Sequence, residues 1–180
     1  MSNKLTPSAA RILNNAKKRA SRETRNLNST DVLLSSIKEQ SSVASYVLTE
    51  IYNLDPQKID LEIGKLNSED AFTEKEFIEQ ISKEAVALKH NFWGTEHILL
   101  ALVSRDNNLA CQLLKNSGLD LKGVRNQVIE LVTAEEISVR FDEQPRECLQ
   151  EFLEFARKWI VTPPQKRLVW VSVTIADNAE

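Results

Sequence analysis

Few residues of this sequence break helices or form covalent links. Of its 180 residues, 4 are glycine and 2 are cysteine. Scarce glycine, together with apolar residues spaced three and four apart, predicts a mainly helical protein. The two cysteines, Cys111 and Cys148, lie in separate helical patterns with no second thiol nearby in sequence. We therefore predict reduced, buried thiols rather than a disulfide or a metal-binding pair.

The sequence also lacks an excess of positive charge and a long apolar run. The formal net charge is -3 and the pI is about 5.6, so no global positive field would attract nucleic acid or an anionic membrane. No window approaches the roughly 18 apolar residues of a membrane span, and the N-terminus lacks the apolar core of a secretory signal. We expect a cytoplasmic protein, or one of an organelle stroma if a transit peptide has been removed, without nucleic-acid or membrane partners.

Proline, glycine and polar residues divide the first three quarters of the chain into eight helical patterns. Thr6 and Thr73 stand where N-caps are expected, and Gly118 follows a helix where a left-handed residue is favoured. The predicted helices span residues 7–22, 30–39, 42–52 and 56–66, and then 74–88, 96–104, 109–117 and 122–132.

These eight patterns fall into two halves that resemble each other. Ala44 corresponds to Ala110 and Asp55 to Asp120, in the same order and with one residue of slippage between the two pairs. Generic amphipathic helices can imitate one such block, but agreement in four successive blocks indicates duplication. We predict a four-helix unit repeated at about residues 4–67 and 71–133, which together form a domain over residues 1–133.

The second unit contains the motifs "FTEKEF", "GTEHILL" and "GLDLKGV" in that order. With these motifs the sequence resembles the Clp N-terminal (Clp R) double-repeat domain family, over roughly residues 4–133. The resemblance implies a bundle of eight helices that receives substrates or adaptors in front of the AAA+ modules of Clp chaperones. The sequence contains no G-x-x-x-x-G-K-[ST] phosphate-binding loop, so it resembles the receptor part alone, without AAA+ modules.

The stretch "HNFWGTEHILLAL" has two interpretations. In the structural one, Gly94 makes a turn, Thr95 caps the next helix, and Glu96 sits at the positive helix end ahead of core residues. In the functional one, the resemblance to the Clp C branch implies a shallow pocket for phosphoarginine-like ligands, formed by Thr73, Glu74 and Glu96. Both interpretations are compatible. The first repeat has Thr6, Pro7 and Thr30 at the corresponding positions, and we expect no second pocket there.

No catalytic or metal-binding set is evident. The two histidines, His90 and His97, have no cysteine or carboxylate cluster at metal-ligand spacing, so we predict no metal and no cofactor. The sequence shows no G-x-S-x-G elbow and no specific Ser/His/Asp or Cys/His set. We therefore expect a protein that is not an enzyme.

The last quarter of the chain does not continue the repeat. It predicts a strand at 137–141, a helix at 146–160 and a β-branched strand at 168–175, which form a small α/β extension over residues 134–180. A strand that is apolar on both faces must be covered, either by its own helix, by a second copy in a homo-oligomer, or by a partner. The predicted partner-binding residues are Leu168, Trp170, Val171 and Val173.

Two functions are compatible with this organisation. The first is non-catalytic recognition of substrates or adaptors in a Clp chaperone or protease system, with Clp ATPase or protease subunits, or their substrates and adaptors, as partners. The second is a protein interaction domain of an unrelated pathway, in which the C-terminal extension sets the partner. Co-purification from the native cell distinguishes the two.

Overall fold

The computed structural model describes residues 5–66, 70–105 and 107–133. Within these ranges the chain is helical, and extended pairing is limited to an isolated parallel bridge between Leu5 and Trp93. The helices are α1 Pro7–Arg22, α2 Ser29–Lys38, α3 Val43–Tyr46, α4 Pro56–Gly64, α5 Glu74–Ala87, α6 Thr95–Val103, α7 Leu109–Asn116 and α8 Leu121–Thr133, and α3 continues as a π-helical segment over Val47–Ile51.

Short polar residues fix most of the helix starts. Thr6 accepts a hydrogen bond from the amide of Ala9 at 3.3 Å and precedes Pro7, which confirms Thr6 as the predicted cap of α1. Asn28 caps α2, and its own amide donates to the Asp31 carboxylate, so the two residues form a capping box. Thr73 occupies the cap position of α5, but its side chain accepts no hydrogen bond from the first turn.

Several helices end in a residue with positive φ. Gly118 after α7 has φ of 83°, and the next amide, that of Leu119, donates to the carbonyl of Leu114 at 3.0 Å. This arrangement is a Schellman motif, and it confirms the predicted left-handed role of Gly118. Thr24 and Lys89 take the same role after α1 and α5, with φ of 53° and 59°, although neither is glycine.

Helices α2 and α6 lie at the centre of the bundle. All nine residues of α6 are buried, as are all residues of α2 from Ser29 to Ile37. The two helices pack against each other, α1 covers α2, and α5 and α8 cover α6. From Ile98 to Val103 every residue of α6 is apolar, and a helix that is apolar on every side is expected in an interior position. The start of α6, which contains the ambiguous motif, is therefore embedded in the core of the bundle.

The C-terminal extension lies outside the described residues. This applies to the predicted strands at 137–141 and 168–175, to the helix at 146–160 and to Cys148. Cys111 is described and is buried on α7, as the sequence predicts. None of the described helices has both the length and the apolar character that crossing a membrane requires.

Candidate functional site

The first turn of α6 is closed by a histidine rather than by the hydroxyl that the sequence predicts. Gly94 occupies the N-cap position and Thr95 is the first helical residue, so the prediction that Thr95 caps the helix is wrong. The amide of Gly94 donates to Nδ1 of His97 at 2.8 Å. His97 thus takes the place that Glu or Gln holds in a capping box.

The two histidines of the chain meet at this helix start. Nδ1 of His90 lies 3.0 Å from Nε2 of His97, and the ring of His90 stacks on Phe92 with centroids 5.3 Å apart. His97 has no exposed surface, whereas the side chain of His90 is one quarter exposed and Phe92 is about half exposed. The pair therefore connects the interior of the bundle to its surface.

Glu96 lies beside the histidine pair. Its Oε1 is 3.1 Å from Nδ1 of His97 and 3.8 Å from Nδ1 of His90, and only 9% of its side chain is exposed. The carboxylate folds back over Gly94, where a Cβ would collide with it, so a side chain at this position would displace the carboxylate of Glu96. Burial raises the pKa of Glu96 above the usual range for a glutamate.

Burial keeps His97 neutral. Desolvation, followed by the neighbouring His90, lowers the pKa of His97 to about 4. Because Nδ1 of His97 accepts the Gly94 amide proton, the ring proton of neutral His97 must be on Nε2. Nε2 then donates to Nδ1 of His90, which must carry no proton.

His90, Glu96 and His97 also form a group of metal-ligand types. Their ligand atoms lie within 4.8 Å of one another, so the structure supplies the carboxylate that sequence spacing did not reveal. Imidazole and carboxylate together suit ions such as Zn²⁺. The Gly94 amide already occupies Nδ1 of His97, and coordination through Nε2 requires the ring proton to move to Nδ1.

The other two predicted ligand-binding residues lie at the opposite end of α6. Thr73 lines a small cleft with Ala101 and Arg105, where α6 ends, and Glu74 pairs with Lys17 of α1 at 2.5 Å. Nine helical residues separate these two ends by about 13 Å. The structure therefore does not bring Thr73, Glu74 and Glu96 together around one guanidinium group, and the predicted role of each residue in ligand binding stays a prediction.

The start of the first repeat lies next to the α6 turn. The amide of Thr6 donates to the carbonyl of Trp93 at 3.0 Å, beside the bridge from Leu5 to Trp93. Thr30, the counterpart of Glu96, is buried in α2 and donates to the side chain of Asn28 at 2.8 Å. The residues around Glu96 thus come from both halves of the chain.

Two buried carboxylates were not anticipated from the sequence. The carboxylate of Asp31 accepts hydrogen bonds from both terminal guanidinium nitrogens of Arg25, at 2.6 and 2.8 Å. The carboxylate of Glu84 accepts hydrogen bonds from two guanidinium nitrogens of Arg125, at 3.0 and 2.8 Å. Glu84 lies among apolar residues on the inner face of α5, and this position is a signal that sequence reasoning could have used. Both carboxylates already have arginine partners within the chain and are not ligand sites.

The fold of the described residues is known from solved structures. The N-terminal domain of Hsp104 from Candida albicans superimposes with a TM-score of 0.58 at 20% identity, over 74% of this chain and 94% of that domain. The N-terminal domain of the chaperone ClpD from Arabidopsis thaliana gives a TM-score of 0.50 at 17% identity, over 70% and 92%. The described fold is therefore that of a Clp N-terminal domain.

Sequence comparison gives the family. Residues 72–159 match the Clp repeat (R) N-terminal domain. The ATP-dependent Clp protease ATP-binding subunit ClpC of Staphylococcus epidermidis is 33% identical over 145 residues, which are 75% of this chain and 18% of that protein. ClpC of Staphylococcus aureus strain USA300 gives the same values. The chain belongs to the Clp N-terminal domain family and spans about a fifth of the length of these relatives.

Proposed function

We propose that the chain is a non-catalytic recognition module of a cytoplasmic Clp chaperone–protease system. It binds substrates or adaptors of that system, or presents them to Clp ATPase or protease subunits. The observation that carries this proposal is the match of residues 72–159 to the Clp repeat domain, joined to 33% identity with ClpC over three quarters of the chain. The phosphate-binding loop that ATP hydrolysis needs is not in the sequence, which favours a binding role.

Within this role, Glu96 is the proposed contact for a cationic group on a bound protein. It is a desolvated carboxylate with no guanidinium or ammonium partner among the ion pairs of the described residues. A guanidinium group, phosphoarginine included, supplies the charge-assisted hydrogen bonds that such a carboxylate lacks. Thr73 and Glu74, at the start of α5, lie near the C-terminal end of α6, whereas Glu96 lies at its N-terminal end, so they are too far from Glu96 to hold the same group. A role for them requires a ligand that extends across the helix.

The test is affinity capture with the tagged full chain from the native cell, with quantitative mass spectrometry of the bound proteins. We expect enrichment of Clp ATPase or protease subunits, or of their substrates and adaptors. The full chain with Glu96→Gln keeps the side-chain volume and removes the charge, so it should lose the substrates that depend on a cationic contact. Enrichment of proteins unrelated to Clp would refute the proposal and favour the interaction domain of another pathway.

A truncation identifies the part of the chain that binds. Residues 1–133 contain all eight described helices, and the predicted contacts of the extension, Leu168, Trp170, Val171 and Val173, lie beyond them. Capture of Clp proteins by residues 1–133 alone would assign recognition to the bundle. Capture by the full chain alone would assign it to residues 134–180, provided that circular dichroism shows the truncated bundle to be folded.

A further inference from the structure

The third helix of the second half, α7, ends in a regular way. The amide of Ser117 donates to the carbonyl of Leu113 at 2.9 Å, and the amide of Leu119 donates to the carbonyl of Leu114 at 3.0 Å. Between the two donors, Gly118 has a positive φ of 83°. These are the bonds of an α-helix that closes in a Schellman motif.

The first half makes the same two bonds, but each of them spans one residue more. At the end of the π-helical segment the amide of Tyr52 donates to the carbonyl of Val47 at 3.1 Å, and the amide of Leu54 donates to the carbonyl of Leu48 at 2.9 Å. Asn53 lies between the two donors and has a positive φ of 53°, like the glycine of the second half. The two helix ends are therefore equivalent, although the chain is one residue longer in the first half.

The additional residue lies inside the π-helical segment. Leu48 and Leu114 are the equivalent residues before it, and Tyr52 and Ser117 are the equivalent residues after it. Residues 49–51 separate Leu48 from Tyr52, whereas one residue fewer separates Leu114 from Ser117. A π turn closes its hydrogen bond over one residue more than an α turn. The slippage between the two repeats thus coincides with the change from α-helix to π-helix.

Beyond this segment the two halves agree again. Leu54 and Leu119 are both buried. Asp55 and Asp120 each accept the amide two residues ahead, at 2.8 and 3.2 Å, where α4 and α8 begin. In a continuous α-helix an additional residue would turn everything after it by about 100° around the helix axis, because one turn holds about 3.6 residues. Leu54 would then no longer face the core.

We infer that residues 49–51 include a one-residue insertion and that the π turn absorbs it, so that α4 keeps the place in the first half that α8 has in the second. Glu50 is the residue that the fold can lose, because its side chain is exposed. The side chain of Thr49 donates to the carbonyl of Ser45 at 3.0 Å, and Ile51 packs against the core. The π turn is a property of the chain by itself and does not depend on the proposed function.

The test is the deletion of Glu50 from the full chain, with the deletion of Asn116 as the matched control. Asn116 is also exposed and stands in the equivalent turn at the end of α7, where no additional residue has to be absorbed. Unfolding in guanidinium chloride measures both variants. We expect the chain without Glu50 to have the midpoint of the unmodified chain or a higher one. The chain without Asn116 should have a clearly lower midpoint, because Leu119 is drawn out of register.

Nuclear magnetic resonance couplings across hydrogen bonds identify the bonded groups. In the unmodified chain the amide of Tyr52 should couple to the carbonyl of Val47, and the amide of Leu54 to that of Leu48. Both couplings should persist without Glu50, when the first joins groups at the spacing of an α-helix. The inference is overturned if these couplings move to other partners, if the chain without Glu50 fails to fold or has a midpoint closer to that of the control, or if all three midpoints are equal.

Discussion

The hydroxyl of Ser29 donates to the Asp70 carboxylate at 2.6 Å and accepts the amide of Ala110 at 2.9 Å. Asp70 also accepts the amides of Ser29, at 2.6 Å, and of Leu109, at 3.1 Å. One carboxylate thus satisfies amides at the starts of α2 and α7, which belong to different halves of the chain. An anion is favoured there because both helix starts present unpaired amides and the positive end of a dipole.

We expect Asp70→Asn to destabilise the bundle by about 1–3 kcal/mol. The amide group of asparagine turns a donor toward amides that need an acceptor, and a buried unsatisfied donor costs about that much. The measurement is the free energy of unfolding in guanidinium chloride. Asp120→Asn is the control, because Asp120 caps α8 through the amides of Lys122 and Gly123, and asparagine caps a helix about as well as aspartate. An equal loss in both variants would contradict the special role of Asp70.

The helices could be predicted from the sequence because their signals are local. The predicted span of the first helix, residues 7–22, is that of α1, and its cap at Thr6 is confirmed. The predicted second helix begins at Thr30, whereas α2 begins at Ser29 behind its cap Asn28. The predicted third helix is one element, whereas the chain changes to π-helix after Tyr46. Hydrophobic periodicity determines where a helix lies, whereas side-chain contacts determine its last residues.

Leu99 and Leu100 are both fully buried, so replacement of either by alanine should cost about 2–5 kcal/mol. The loss arises from the removed apolar contacts and from the cavity that remains in a closely packed core. Leu61→Ala is the matched control, since Leu61 is 68% exposed and its truncation should change the stability by less than about 0.5 kcal/mol. The midpoint of chemical unfolding measures all three variants. Midpoints of Leu99→Ala and Leu100→Ala that match the unmodified chain would exclude α6 from the core.

The candidate site was less predictable, because its partners are distant in sequence or make contacts that the residue types do not suggest. The resemblance to the Clp C branch groups Thr73 and Glu74 with Glu96, but antiparallel packing of α5 against α6 puts them at opposite ends of α6. Nothing in the sequence indicates that the side chain of His97 closes the first turn of α6. Contacts of this kind depend on tertiary packing, which a single sequence does not encode locally.

Thr24→Gly should stabilise the protein by up to about 1 kcal/mol. Thr24 is exposed and has φ of 53°, a conformation that disfavours a β-branched side chain but suits glycine. Part of the gain is lost because glycine increases the entropy of the unfolded chain. Asn53→Gly is the comparison, since Asn53 has the same φ and asparagine tolerates it, so this change should be nearly neutral. A larger gain at Asn53 than at Thr24 would contradict the strain at Thr24.

His97 should make the protein less stable as the pH falls. Its pKa is about 4 in the folded chain, against about 6.5 for an ordinary histidine, so between these values the unfolded chain binds more protons. Its contribution is complete above pH 6.5 and is lost toward pH 4, by about 2 kcal/mol at pH 5. His97→Gln keeps an acceptor for the Gly94 amide and should lack this loss. Unfolding in guanidinium chloride at pH 7.5 and 5 measures both proteins, and equal losses would refute a neutral, buried His97.

Glu96 should make the binding of a guanidinium ligand weaker as the pH falls. Burial raises the pKa of Glu96, and a cationic ligand requires the ionised carboxylate, so affinity should increase as the pH rises through that pKa. Isothermal calorimetry with a phosphoarginine-containing peptide between pH 5 and pH 8 measures the effect.

Glu96→Gln should weaken binding at pH 8 by roughly one to two powers of ten, the equivalent of a charge-assisted hydrogen bond, and should remove most of the pH dependence. Glu74→Gln is the matched control, since Glu74 pairs with Lys17 at the other end of α6 and should leave affinity unchanged. Affinity that depends on Glu74 rather than on Glu96 would move the binding site to the start of α5.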